Sequence, residues 1–185
     1  IYVRAESDVR TPKDLEGRRV GIPEWGQTAG VYVRGALVDQ FDVDLGSITW
    51  VQSGVHQPGR AEKVKFNLPS WVNLQPDTQH NLNELLLSGA VDAVITAHPI
   101  QSFKDGDTRI VRMFEDPRGI EREYFEKTGC FPIMHTIVIR DDILEQTPWV
   151  AQTIYKGLDR ARERCVGRLC DATASAVPML SLIHI

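Results

Sequence analysis

Short extended apolar segments alternate with stretches whose apolar residues recur every three to four positions, and this alternation most restricts the folds open to the chain. The segments "IYVRA" (residues 1–5), "RRVGIP" (18–23), "SITWVQ" (47–52), "VDAVITA" (91–97), "RIVRMF" (109–114) and "FPIMHTIVIR" (131–140) read as strands. Helical signals fall between them. Thr11 as cap, Pro12 at the first position and Gly17 as terminator outline a short helix. Ala29, Val33, Ala36, Leu37 and Phe41 lie on one helical face, with Thr28 placed to cap it. Leu82, Leu85 and Leu86 mark a helix ending at Gly89, and residues 116–129 another, closed by Gly129. Thr147 and Pro148 open a long final helix whose core face runs Val150, Ile154, Leu158, Ala161, Cys165. Residues 53–80 carry Pro58, Pro69 and Pro76, fit neither period, and are expected to form a long irregular connection. Strands alternating with amphipathic helices argue for an α/β fold with a largely parallel sheet.

Composition narrows the function classes. At 185 residues the chain is long enough for a domain with a real core. A net charge of −4 gives no general attraction to nucleic acid or anionic membranes. Apolar runs such as "LLLSGAVDAVITA" are broken well short of the roughly 20 residues that a spanning helix needs, so no membrane insertion is expected. Cys130, Cys165 and Cys170 show no C-x-x-C spacing and are read as free, mostly buried thiols. His56, His80, His98, His135 and His184 form neither H-x-H nor H-E-x-x-H, so no metal site is expected. No G-x-S-x-G elbow supports a serine hydrolase. Arg160, Arg164 and Arg168 form a basic stripe interrupted by Asp159 and Glu163, read as a solvated helix face. The chain opens without Met and already as a strand, and is expected to be a piece of a longer protein.

Four places could carry chemistry. "GIPEWGQT" (residues 21–28) approaches a phosphate-binding loop but has Gln27 where the lysine belongs, which disfavours nucleotide hydrolysis. A strand, a Gly-containing turn and a helix start still present backbone N–H groups to an anion, a carboxylate for instance; alternatively Gly26 and Thr28 merely turn and cap the helix. "HQPGRAEK" (residues 56–63) gathers an imidazole, a guanidinium, a carboxylate and an ammonium in one loop. Arg60 could hold a carboxylate through two parallel hydrogen bonds, or belong to a solvated charged turn. His98 stands just beyond a strand's carboxyl end, the edge at which open α/β sheets place ligands, although an ordinary turn histidine fits equally. His135 alternates with apolar residues in its run and is either a packed core imidazole or a group facing a ligand.

Several stretches taken together, "IYVRAESDVRTPKDLEGRRVGIPEWGQTAGVYVRGAL", "VQSGVHQPGRAEK", "SGAVDAVITAHP" and "GCFPIMHTIVIRDDILEQTPWVAQTIYKGL", resemble the 4,5-dihydroxyphthalate decarboxylase family, itself similar to type II periplasmic solute-binding proteins of the thiamine-precursor and sulfonate kind. P-G-R-x-E-K and F-P-I-M-H are the most specific of these motifs. The resemblance runs in order over residues 1–170. It implies a two-lobed type II periplasmic-binding-protein-like fold, with lobe two complete and lobe one partial. Residues 1–8 would belong to lobe one, 9–130 would build lobe two, and 131–180 would supply the return strand and helix of lobe one. The tail at 181–185, "SLIHI", matches nothing expected of the family and is read as non-native.

The implied activity is cofactor-independent decarboxylation of 4,5-dihydroxyphthalate or a related hydroxylated aromatic acid. His135, placed near the hinge, or Glu24 would be the proton donor. Gln27 and Thr28 at the helix start, together with Arg60, would anchor the carboxylate that stays, with His98 at the strand edge as a further substrate contact. The partner is then a small anionic aromatic ligand, and the compartment the cytoplasm. The alternative is a periplasmic solute-binding protein that hands a small anion to an ABC permease and does no chemistry.

Overall fold

The computed structural model describes residues 1–133 and 135–170, apart from the side chain of Cys170. Met134, His184 and the tail at 181–185 lie outside the described residues. The described chain falls into two compact units, one up to residue 133 and one from His135.

The first unit is a six-stranded mixed sheet with helices on its faces, so the α/β expectation holds. In chain order it comprises β1 (Tyr2–Arg4), β2 (Arg19–Ile22), α1 (Thr28–Phe41), β3 (Thr49–Gln52), β4 (Asn73–Pro76), α2 (Leu82–Ser88), β5 (Ala93–Val94), α3 (Gln101–Lys104), β6 (Ile110–Arg112) and α4 (Pro117–Thr128). The strands lie in the order β4-β3-β2-β5-β1-β6. β2 runs parallel to β3 and β5, and β3 parallel to β4. β1, which the resemblance assigns to lobe one, is hydrogen-bonded antiparallel between β5 and β6 of this same sheet.

Period-two alternation divides the core. Val20, Ile22, Trp50, Ala93 and Ile95 face one side, where Leu37 of α1 and Leu15 of the one-turn 3-10 helix Pro12–Leu15 cover them. Val51 and Val94 face the other side, against Leu82, Leu85 and Leu86 of α2. A sheet buried on both faces needs the near-continuous apolar strands that the sequence carries.

The helix ends follow side-chain chemistry. Gly89 and Gly129 close α2 and α4 in the left-handed region, at φ 80° and 65°. α2 starts with reciprocal bonds: Asn81 Oδ1 accepts from the Glu84 N–H at 3.0 Å, and Glu84 Oε2 accepts from the Asn81 N–H at 3.0 Å.

Several expectations need correction. Thr28 is the first helical residue of α1 and exposed, and Gln27 occupies the cap position without a side-chain bond. Residues 53–80 are not wholly irregular, because β4 extends the sheet there, with Val72 and Leu74 packed on the core between polar neighbours and Pro76 at its end. An edge strand tolerates that proline, since no further strand asks for its N–H. Residues 131–133 and 135–140 contain no strand, so the apolar run around His135 finds no ladder among the described residues. Cys165 is exposed and Cys130 half-buried, rather than both being buried.

The second unit contains α5 (Asp141–Gln146) and α6 (Val150–Cys170). Thr147 closes α5, its hydroxyl donating to the Ile143 carbonyl at 2.8 Å, and so does not open the long helix as expected. Ile154 and Leu158, on the expected core face of α6, are 36% and 46% exposed, and Arg160, Arg164 and Arg168 are solvated as expected.

Replacing Asn81 by Ala removes the α2 cap and should cost about 1 kcal/mol, whereas Asn81→Asp should be near neutral. Urea midpoints at constant m-value are the measurement; an unshifted midpoint for the alanine variant would show that the cap contributes nothing.

Candidate functional site

Parallel pairing of β2 with β3 sends two loops out of the same sheet edge. The register Arg19↔Thr49 to Ile22↔Gln52 brings the turn at residues 23–27 beside the loop that leaves Gln52. At this edge chain order and strand order part company: β3 and β4 lie to one side of β2 and β5 to the other. Such a switch point opens a crevice beyond the carboxyl ends of the strands.

The loop after β3 folds back over the turn after β2. Gly54 permits the tight start, because a Cβ there would fall 2.0 Å from the Gln57 carbonyl oxygen. Farther along, Arg60 donates from Nε to Glu24 Oε1 at 2.5 Å, and its Nη2 bonds the same oxygen. The Glu24 side chain is only 7% exposed, that of Arg60 40%. A buried carboxylate needs such a partner, since an unpaired one carries a desolvation penalty of several kcal/mol. Two residues on, Glu62 reaches the same turn. Its Oε1 accepts from the Trp25 N–H and, at 3.1 Å, from Gln52 Nε2, and its Oε2 accepts from the Gly26 N–H at 3.3 Å.

Beneath the turn lies Arg34 of α1, buried. Its Nη2 donates to the Trp25 carbonyl at 2.6 Å, its guanidinium sits 3.9 Å above the Trp25 ring, and its Nη1 is buried without a partner. Burial pushes the Arg34 pKa down to about 10, against the opposing pull of the Glu62 charge. Trp25 also meets Trp50 edge-on at 5.5 Å, which fixes the turn to the core.

The structure therefore gathers some of the candidates expected from the sequence and leaves others apart. Glu24 and Arg60 are in direct contact, each as the other's partner. Gln27 and Thr28 stand at the start of α1, but the anion-holding N–H groups belong to Trp25 and Gly26, while the Gln27 N–H turns back to the Glu24 carbonyl at 3.4 Å. His98 is exposed in the loop after β5, its N–H on Thr96 Oγ1 at 3.3 Å. His135 is exposed and belongs to the second unit. A separate hollow of about 570 Å³ lies between α1 and α4, walled by Tyr32, Phe41, Phe114 and Tyr124, and none of Glu24, Gln27, Thr28, Arg60 and His98 borders it.

Gln52 and Arg34 escaped the sequence reading, and Glu62 entered it only as the carboxylate of the "HQPGRAEK" loop, without a role. Only Arg34 left a usable signal, sharing a helical face with Gly30 and Leu37, both buried. Glu62 and Gln52 meet across ten residues of loop, which no local period encodes.

Fold and site define an α/β domain with carboxylates and guanidinium groups interlocked where its parallel strands end. No family model matches the chain. Two curated relatives do. A 4,5-dihydroxyphthalate decarboxylase from Comamonas testosteroni is 34% identical over 180 residues, 97% of this chain and 54% of the relative. A protein of the same name from Pseudomonas putida is 33% identical over 127 residues, 68% of this chain and 49% of the relative. The chain belongs to the 4,5-dihydroxyphthalate decarboxylase family, and spans about half the length of the curated relatives it matches.

The substitution Gly54→Ala should cost about 1–3 kcal/mol, because backbone rather than a pliable side chain stands where the methyl group must go. Urea unfolding reads the cost; a loss below about 0.5 kcal/mol, the range of a neutral surface change, would show that the loop is not pinned at this point.

Proposed function

We propose that the protein to which this chain belongs decarboxylates 4,5-dihydroxyphthalate or a closely related hydroxylated aromatic acid without a cofactor. The observation that carries this reading is the shared name of two relatives at 33–34% identity, one aligned over nearly the whole chain. The guanidinium of Arg60 agrees with it, since that group recognises carboxylates. The two-lobed fold that the resemblance implies is part of the proposal.

In the reaction a phenolic oxygen para to the departing carboxylate pushes electrons to that ring carbon, which takes up a proton. The bond to the carboxylate carbon then breaks, carbon dioxide leaves, and the electron pair returns through the ring toward the oxygen, so the ring is its own electron sink. His135 is assigned the proton, with Glu24 as the second candidate. Glu24 now accepts from Arg60, so it reaches a substrate only after that guanidinium has turned away. Arg60 engages Glu24 through Nε and Nη2 and is two-fifths exposed, which leaves Nη1 for the carboxylate that stays on the ring. Gln27 and Thr28 at the start of α1, with His98 beyond β5, complete the proposed substrate contacts. With decarboxylation as the activity, the compartment proposed is the cytoplasm.

The test is carbon dioxide release from 4,5-dihydroxyphthalate by the full-length protein. Binding of the diacid with no release would leave capture of a solute as the function and end the catalytic reading. His135→Gln should lower turnover by about 10²–10⁴-fold while the dissociation constant is retained; full turnover would remove His135 from the mechanism. Arg60→Lys should weaken binding about tenfold, because an ammonium cannot reproduce the planar geometry that holds Glu24 and keeps Nη1 for the ligand, and an unchanged constant would rule the clamp out.

A further inference from the structure

The turn between β2 and α1 has the form of an occupied carboxylate site, and the occupant comes from the chain itself. Three donors converge on Glu62: the N–H groups of Trp25 and Gly26, and the side-chain amide of Gln52. These donors are fixed in place. Trp25 packs against both Trp50 and the Arg34 guanidinium, and Gln52 is buried at the end of β3. Glu62 is not, for it stands on a loop whose residues 56–61 are exposed, and it is itself half-buried. Arg34 lies close enough for the Glu62 charge to act on it, and its Nη1, beside Gly30 of α1, is buried without a hydrogen-bond partner among the described residues. A guanidinium so placed adds positive charge near any anion held at the turn.

We propose that the Trp25–Gly26 N–H pair, with Gln52 and the underlying Arg34, is a binding site for a carboxylate of the aromatic ligand, and that Glu62 is its resident, exchangeable occupant. This rests on the diacid chemistry proposed above. Arg60 and Glu24 form the neighbouring half of the arrangement. An aromatic ring with two adjacent carboxylates can set one on the Arg60 Nη1 that Glu24 leaves free and the other on the N–H pair in place of Glu62. A monocarboxylate makes only one of these contacts. Glu62 thereby sets a threshold that favours diacids, because the ligand must outcompete a charge-assisted interaction that is already made.

The experiment uses the full-length protein, isothermal titration calorimetry, and three probes: phthalate, benzoate and catechol. Glu62→Gln keeps the side chain's size and removes its charge, so the internal occupant binds more weakly and the external carboxylate competes better. Phthalate should bind about tenfold more tightly to this variant than to the wild type, and catechol, which has no carboxylate, should not change. Phthalate affinity that is unchanged or lower in Glu62→Gln would make Glu62 a permanent strut and overturn the proposal, as would a failure of phthalate to bind either protein. Should the glutamine variant not fold, Glu62→Asp, too short to span both N–H groups, must give a smaller gain of the same sign, and an absent gain overturns the proposal equally. Binding is read without turnover, so absence of carbon dioxide release would defeat the catalytic reading and leave this result standing.

Discussion

The parallel register of β2 on β3 is the constraint on which the site depends. Because Ile22 lies opposite Gln52, the two chains leave the sheet side by side, and the loops that follow have no choice but to meet. Strands paired antiparallel would carry their exits to opposite edges. The register is itself fixed by burial: Trp50 belongs on the α1 face and Val51 on the α2 face, and a slip of one residue would exchange them. The apolar pattern of eight residues thus determines where Glu24, Arg60 and Glu62 come together.

Electrostatics then sorts the charges at this edge from those elsewhere. Pairs such as Arg140 with Asp142, or Lys127 with Glu123, are solvated on both sides and add little to stability. Glu24 is different in kind. With its carboxylate withdrawn from water, removing Arg60 would leave a buried charge uncompensated, so the pair acts as a latch on the loop more than as a source of net stability. Arg34 follows the same logic in another medium, using an indole face and a carbonyl where water would have been.

Much of the fold was legible because it is written in short periods. The strands Arg19–Ile22 and Thr49–Gln52, the α1 stripe through Leu37, and the Gly89 and Gly129 stops of α2 and α4 all follow from local sterics and capping. The failures have physical causes too. β4 was hidden because a four-residue edge strand, mostly exposed and ending in proline, has too little apolar contrast to register. The run around His135 has strand composition yet lies outside any described ladder, since composition gives a propensity and only a neighbouring edge gives hydrogen bonds. At the site, Arg60 and the strand-turn-helix cradle were visible as chemistry. What they hold was not: the guanidinium holds Glu24 and the cradle holds Glu62.

By itself, the sequence determined the class of fold, the ends of most helices and the residue types available for binding an anion, because each of these depends on neighbours within a few positions along the chain. Tertiary structure alone decided which carboxylate meets which donor. Glu24 and Arg60 stand 36 residues apart and Trp25 and Glu62 stand 37 apart, and only the folding of one loop over another turns such separations into hydrogen bonds.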